Sequence, residues 1–163
     1  PIEWGSALYS EGDYSYVLGH LDNKTYIYRT PTGQLGTAPQ YYTAKGWSTN
    51  RSEVKPISSQ NLQAIIKVDG KYRAIFMKKP FPKVVYETYA TSITGPWTQV
   101  SQPVYDIPEA RNKKLLQYMP RIHESLSSSG SYVMSYSVNA YDIRDLPGNA
   151  SYYHPQFFKG PNK

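Results

Sequence analysis

The sequence predicts an all-β fold assembled from propeller-like blades. An aromatic-rich hairpin followed by a further β-like run recurs three times, around residues 14–20, 72–77 and 132–139. The spacing is roughly sixty residues, the mark of a repeat array. Tight-turn signals punctuate the hairpins, Glu11-Gly12-Asp13 in the first and Asp69-Gly70 in the second. Helical periodicity is absent outside residues 108–116, which read as one or two turns at most. Strand-only repeats of this period point to a β-propeller or a related array. The chain accommodates about two and a half four-stranded blades, approximately 1–50, 51–106 and 107–163, which are too few to close a ring.

In the first unit, residues 6–10 read as a strand and 14–19 as its hairpin partner, with Asp and Gly supplying the positive φ of the turn. Residues 25–29 alternate as a third strand, Thr30-Pro-Thr-Gly33 turns the chain, and residues 40–43 form a fourth strand leading to Gly46-Trp47. The second unit repeats the plan with strands at 62–68, 72–77 and 84–89. A turn at Ser92-Ile-Thr-Gly-Pro-Trp97 leads into an outer strand at 97–104. The third has a strand at 118–126, a turn at Ser127-Ser-Ser-Gly130, a strand at 131–139, a loop at 142–150 and a last run at 152–158. Pro80-Phe-Pro82 and Pro147-Gly148 break any competing helix.

Composition narrows the classes. With 163 residues, 39% apolar and 18% charged, the chain is globular and long enough for one domain with a sizeable core. Its 17 tyrosines suit strands with one packed and one wet face, and they also suit sugar-facing clefts. The net charge of +6 comes from scattered residues and two clusters, Lys78-Lys79 and Arg111-Asn-Lys-Lys114. Neither forms a continuous basic stripe with interleaved aromatics, so no nucleic-acid partner is expected. Solvated loops are the favoured reading of the clusters, and an anionic polysaccharide partner is the alternative. There are no cysteines, which removes disulfide and thiolate-metal chemistry. His20, His123 and His154 fall in separate units without metal-ligand spacing, so no metal or other cofactor is expected. No run of 18 apolar residues occurs, so no membrane span is expected either. Three glycosylation sequons begin at Asn23, Asn50 and Asn149, each in a turn-like stretch, and the abrupt start at Pro1 reads as a processed or truncated start.

Several short motifs carry a resemblance. Ser92-Ile-Thr-Gly-Pro-Trp97 resembles the S-x-x-G-P-W turn between third and outer strands in five-bladed propellers of the glycoside hydrolase family 43 kind. Trp4-Gly-Ser6 with Tyr16-Val-Leu-Gly19, and Arg29-Thr-Pro31, resemble blade openings and strand ends in secreted, less characterised relatives of that family. The best-matched stretch is Arg121-Ile-His-Glu-Ser-Leu126, Ser135-Tyr-Ser-Val-Asn139 and Tyr153-His-Pro-Gln-Phe-Phe158. These are similar to A-x-H-P-E-L, S-Y-N-x-N and Y-x-P-x-F, with Glu124 standing where the family tends to have Pro. The resemblance implies the C-terminal part of a longer five-bladed propeller.

That family likeness implies a secreted, carbohydrate-active protein acting on a polysaccharide or glycan, a glycoside hydrolase or, from another class, a non-catalytic carbohydrate-binding module. Glycoside hydrolysis uses two carboxyls about 5 to 10 Å apart. Glu3, Glu53 and Glu124 are the catalytic candidates at inner-strand positions, with Asp142 as a further available acid, and part of the pair is expected on blades this chain lacks. Trp4, Arg121, His123 and Asn139 are the candidates for substrate binding. Alternation places Arg121 and His123 on one face of a strand, where Arg forks a carboxylate or hydroxyl and His donates or orients. The competing assignments are a salt bridge for Arg121, a satisfied buried His123, a turn cap for Asn139 and blade core for Trp4. A structural calcium ion is neither shown nor excluded. Open strand edges seek partners, so a complementary propeller fragment or a homo-oligomer is expected.

Overall fold

The computed structural model describes residues 1–78, 82–98, 102–128 and 131–160. Among the described residues the protein is all-β, with twelve strands in three antiparallel sheets, four short 3-10 turns and no α-helix. The first sheet has the order β1 (Glu3–Glu11), β2 (Tyr14–Leu21), β3 (Lys24–Pro31), β4 (Gln40–Thr43) and β5 (Gly46–Ser48). The second is β6 (Ala64–Val68), β7 (Lys71–Met77), β8 (Val84–Ala90) and β9 (Gln102–Asp106). The third is β10 (Leu115–Ser128), β11 (Ser131–Ala140) and β12 (His154–Lys159).

The hairpin turns follow from the residues predicted to make them. Asp69 and Gly70 both take positive φ, 50° and 75°, as a turn matched to strand twist demands, and Asp22 and Asn23 do the same between β2 and β3. The first sheet departs from expectation by holding five strands rather than four. Gly46-Trp47 does not merely end the unit but folds back on β4, with Trp47 opposite Tyr42. Residues 108–116 become a 3-10 turn at Pro108–Arg111 followed by the start of β10, because Leu115 pairs with Ala140 and extends the strand instead. Residues 62–63 precede β6 and the described part of the outer strand is β9, beginning at Gln102. Lys79, Pro80 and Phe81, the segment 99–101, and Ser129-Gly130 of the expected turn lie outside the described residues. Glu53, expected on an inner strand, lies instead in a 3-10 turn at Arg51–Glu53. Asn50 caps that turn, accepting from the Ser52 amide through Oδ1 and donating to the Glu53 carboxylate through Nδ2.

The chain divides into two compact units, Pro1–Ala74 with Thr88–Gln99, and Ile75–Glu87 with Val100–Lys163. In the first unit Leu18 and Ile27 are fully buried on one face of the first sheet. Thr25 fastens segment 57–62 there: its hydroxyl donates to the Gln60 carbonyl at 2.6 Å and accepts from the Leu62 amide at 2.8 Å. In the second unit the alternate residues Tyr132, Met134, Tyr136, Val138 and Ala140 of β11 are buried, giving that strand one packed face.

Candidate functional site

The opposite face of β11 is the more open one, and register assigns its neighbours. Arg121 stands opposite Ser135, His123 opposite Val133, Tyr118 opposite Ser137 and Leu116 opposite Asn139. On β12, Phe157 stands opposite Ser135 and Pro155 opposite Ser137. Ser135, Ser137 and Asn139 are spaced by two, so all these side chains share one face. A bulge between Tyr118 and Arg121, where Met119 takes a φ of 54°, keeps the two ends of β10 in phase across the irregularity. The expected common face for Arg121 and His123 is present.

At the centre, His123 Nε2 and the Ser135 hydroxyl are 2.8 Å apart, and the imidazole tilts against the Phe157 ring at 5.3 Å. Phe157 is 57% exposed, although it is a large apolar ring in mid-strand. Arg121 donates to the Pro120 carbonyl at 3.3 Å, and burial lowers its pKa without threatening its charge. Asn139 does not cap a turn: its Oδ1 is buried with no hydrogen-bond donor. It lies four residues along β11 from Ser135, about 13 Å at strand rise. The face therefore offers a cation, an imidazole and an exposed aromatic ring around Ser135, with the Asn139 amide farther along β11.

The carboxylate candidates are placed differently. Glu3, Glu53 and Glu124 are all exposed. Glu3 begins β1, whereas Glu53 adjoins Val54, which bridges to Thr43 of β4. Glu124 follows His123 and alternates away from it. Asp142 caps the 3-10 turn Ile143–Asp145 and grips the Arg144 guanidinium, which holds its carboxyl below the usual range. Trp4 is packed against Tyr28 at 4.9 Å and Tyr41 at 5.8 Å, and lies flat over Gly19.

Sequence reasoning missed the carboxylates that tyrosine hydroxyls hold. Glu87 is fully buried and receives the Tyr132 hydroxyl, Glu109 receives the Tyr136 hydroxyl at 2.5 Å, and Glu11 receives that of Tyr72 at 2.5 Å and the Lys67 ammonium. Burial and the adjacent carboxylate push Tyr72 and Tyr136 well above the ordinary phenol range. The tyrosine count hinted at such pairs, but the partners are 27 to 61 residues apart and no local motif joins them. Among the described residues no three His, Asp or Glu side chains gather as a metal site. Among the described residues no helix is long and apolar enough to cross a membrane.

Fold and site together define an all-β protein of antiparallel sheets with a polar, aromatic-edged strand face. The chain belongs to the family described as "Domain of unknown function (DUF5005)", which matches residues 1–162. No curated protein matches it. Its fold is similar to that of a crystal structure from Bacteroides ovatus ATCC 8483 described as a "putative hydrolase". The two share 23% sequence identity and a TM-score of 0.79, over 98% of this chain. The chain spans 44% of the length of that neighbour.

Proposed function

We propose that the chain is the saccharide-binding part of a carbohydrate-active, secreted β-propeller of the glycoside hydrolase kind, with an oligosaccharide lying along the open face of β10–β12. The observation that supports this is the grouping of Phe157, His123 and Arg121 around Ser135, with Asn139 farther along the face. An exposed ring stacks on the apolar face of a sugar, and a few fixed polar groups orient its hydroxyls. The fold likeness to a longer chain described as a hydrolase supports hydrolysis as the reaction of the whole protein. Its paired carboxylates would then come in part from the remaining blades, supplied by another stretch of chain or by a second copy, with Glu124, which alternates away from this face, left as the candidate on this strand that needs a direct test. A non-catalytic binding role is the second reading, favoured by the exposure of Glu3, Glu53 and Glu124, since a proton-holding acid needs burial or a neighbouring charge.

The test is a panel of plant, fungal and bacterial oligosaccharides titrated against the intact protein and its Phe157→Ala and His123→Ala variants, with reducing-sugar release measured in parallel. Binding should weaken about tenfold in each variant, the size of one lost stacking or hydrogen-bonding anchor. Absence of any bound saccharide, or binding indifferent to both substitutions, overturns the proposal. Binding without sugar release selects the non-catalytic reading.

A further inference from the structure

Within the second unit a cavity of about 430 Å³ opens where the Pro108–Arg111 turn meets the start of β10. We infer that this cavity is a subsite for an acidic sugar unit, one whose ring carries a carboxylate. The inference rests on the saccharide reading above and puts the acidic unit on the other face of the sheet, because Leu115 and Gln117 stand opposite Ala140 and Val138.

Three cations line the cavity: Lys83, Arg111 and Lys113. Among the described residues none of the three forms an ion pair, whereas the adjacent Lys114 is paired with Asp145 at 3.2 Å. Like charges gathered at one rim repel, and an anion relieves that repulsion. A second, independent feature points the same way. Gln117, only 7% exposed, also lines the cavity, and its Nε2 is buried without any acceptor. Buried amide donors are nearly always hydrogen-bonded, so an oxygen-bearing ligand supplies what the protein leaves out.

The shape selects among anions. Pro82 and Leu115 give the cavity apolar wall, and Tyr141, 64% exposed, stands at its rim. A bare inorganic anion uses neither, whereas a sugar ring has an apolar face for them, hydroxyls for Gln117 and a carboxylate for the cations. The basic loop is held ready. Lys114 N donates to Asn112 Oδ1 at 3.0 Å, Asn112 N to the Glu109 carbonyl at 2.9 Å, and Tyr141 N to the Lys114 carbonyl at 2.7 Å. The Tyr136 hydroxyl fixes the Glu109 side chain and keeps that carboxylate engaged on its own partner. The Arg111–Lys114 cluster is solvated, as the sequence suggests, and its turn is hydrogen-bonded into place at the rim.

The experiment titrates the intact protein with a galacturonic acid trisaccharide and with the neutral galactose trisaccharide that lacks its carboxylates. The acidic probe should bind about tenfold more tightly at low salt, with the preference shrinking as ionic strength rises. Arg111→Ala combined with Lys113→Ala should abolish the preference, and Gln117→Leu, which keeps the buried volume, should weaken the acidic probe several-fold. Melting curves establish that each variant is folded. Phe157→Ala, on the other face of the sheet, should leave the ratio of the two probes unchanged. Neutral binding that depends on His123 and Phe157 but shows no acidic preference overturns the inference and leaves the saccharide reading standing. Failure of both probes, after the wider panel has also failed, removes both. Preference that survives the double variant overturns the inference, as does inorganic sulfate or an oligonucleotide competing for the cavity as tightly as the acidic sugar.

Discussion

The second strands of the first and third sheets, β2 and β11, carry the same sequence signal, tyrosines at alternating positions, and the structure uses them oppositely. In β2 the rings themselves do the packing. Tyr14 and Trp47 sandwich the Arg29 guanidinium at 3.8 and 4.4 Å, Tyr16 lies 5.9 Å from Trp47, and Gly19 on the other face gives room to Trp4. In β11 the hydroxyls matter, because Tyr132 and Tyr136 end on Glu87 and Glu109. The other face of β11 presents Ser135, which offers a hydroxyl and little bulk, so His123 and Phe157 stand over it accessible to solvent. Aromatic content therefore does not distinguish a packed ring from an exposed one. The residue across the strand does: a glycine admits a ring onto the sheet, a serine holds an imidazole above it.

The largest effect expected from breaking this contrast is at Gly19. A Cβ there would come within 2.5 Å of Trp4 Cε3 and 2.8 Å of Ile2 Cγ2. Gly19→Ala should lower stability by about 2 kcal/mol and Gly19→Val by about 3 kcal/mol, the range of an overpacked core. Chemical denaturation measures both. A melting curve unchanged in Gly19→Val would mean that Trp4 is not held on the sheet by Tyr28 and Tyr41, and the β2 half of the comparison would fail.

The next effect concerns hydroxyls. Tyr132→Phe leaves fully buried Glu87 one donor short, and should lower stability by about 1–3 kcal/mol. Tyr14→Phe keeps the ring over Arg29 and should stay within about 0.5 kcal/mol of the parent. Equal losses in the two variants would erase the distinction between ring-packed and hydroxyl-anchored tyrosines.

How far this contrast could be read in advance is decided by range. Asp69-Gly70 and Glu11-Gly12-Asp13 announce their turns locally, and alternation alone puts Arg121 and His123 on one face. The 3-10 turn at Arg51–Glu53 had a readable signal too, Asn50 followed three residues later by Glu53, the pattern of a capping box. The fifth strand was harder. Gly46–Ser48 is three residues long, and its pairing depends on Trp47 finding Tyr42 rather than on any propensity of its own. Glu87 and Glu109 had no local signature at all, since a carboxylate in a strand or turn is ordinarily solvated and only the tertiary fold brings a tyrosine to it. The orphan amide of Gln117 was illegible for the same reason.

A third, smaller effect tests whether the first unit also anchors through a hydroxyl. Glu11 accepts from Lys67 and the Tyr72 hydroxyl, and these bonds hold its carboxyl below the usual range. A carboxyl depressed in the folded state contributes stability above its unfolded pKa of about 4.3 and loses it as pH falls through the folded value. The melting-temperature gap between parent and Glu11→Gln should therefore be widest near neutrality and narrow as pH is lowered below about 4. A gap that widens on acidification would show that the pairing does not favour the charged form.

The smallest expected effect on stability falls on Glu124, and it says the most about chemistry. Its side chain is exposed and alternates away from His123, so Glu124→Gln should change stability by less than about 0.5 kcal/mol. The same substitution removes the candidate acid next to His123 in sequence, and it leaves the imidazole, the cation and the aromatic ring in place. If the protein releases reducing sugar, an unaltered fold with turnover reduced a hundredfold or more would tie general-acid chemistry to this strand. Turnover unaffected by Glu124→Gln but weakened in KM by Phe157→Ala would instead separate recognition from catalysis, leaving β11 and its neighbours the task of holding the sugar.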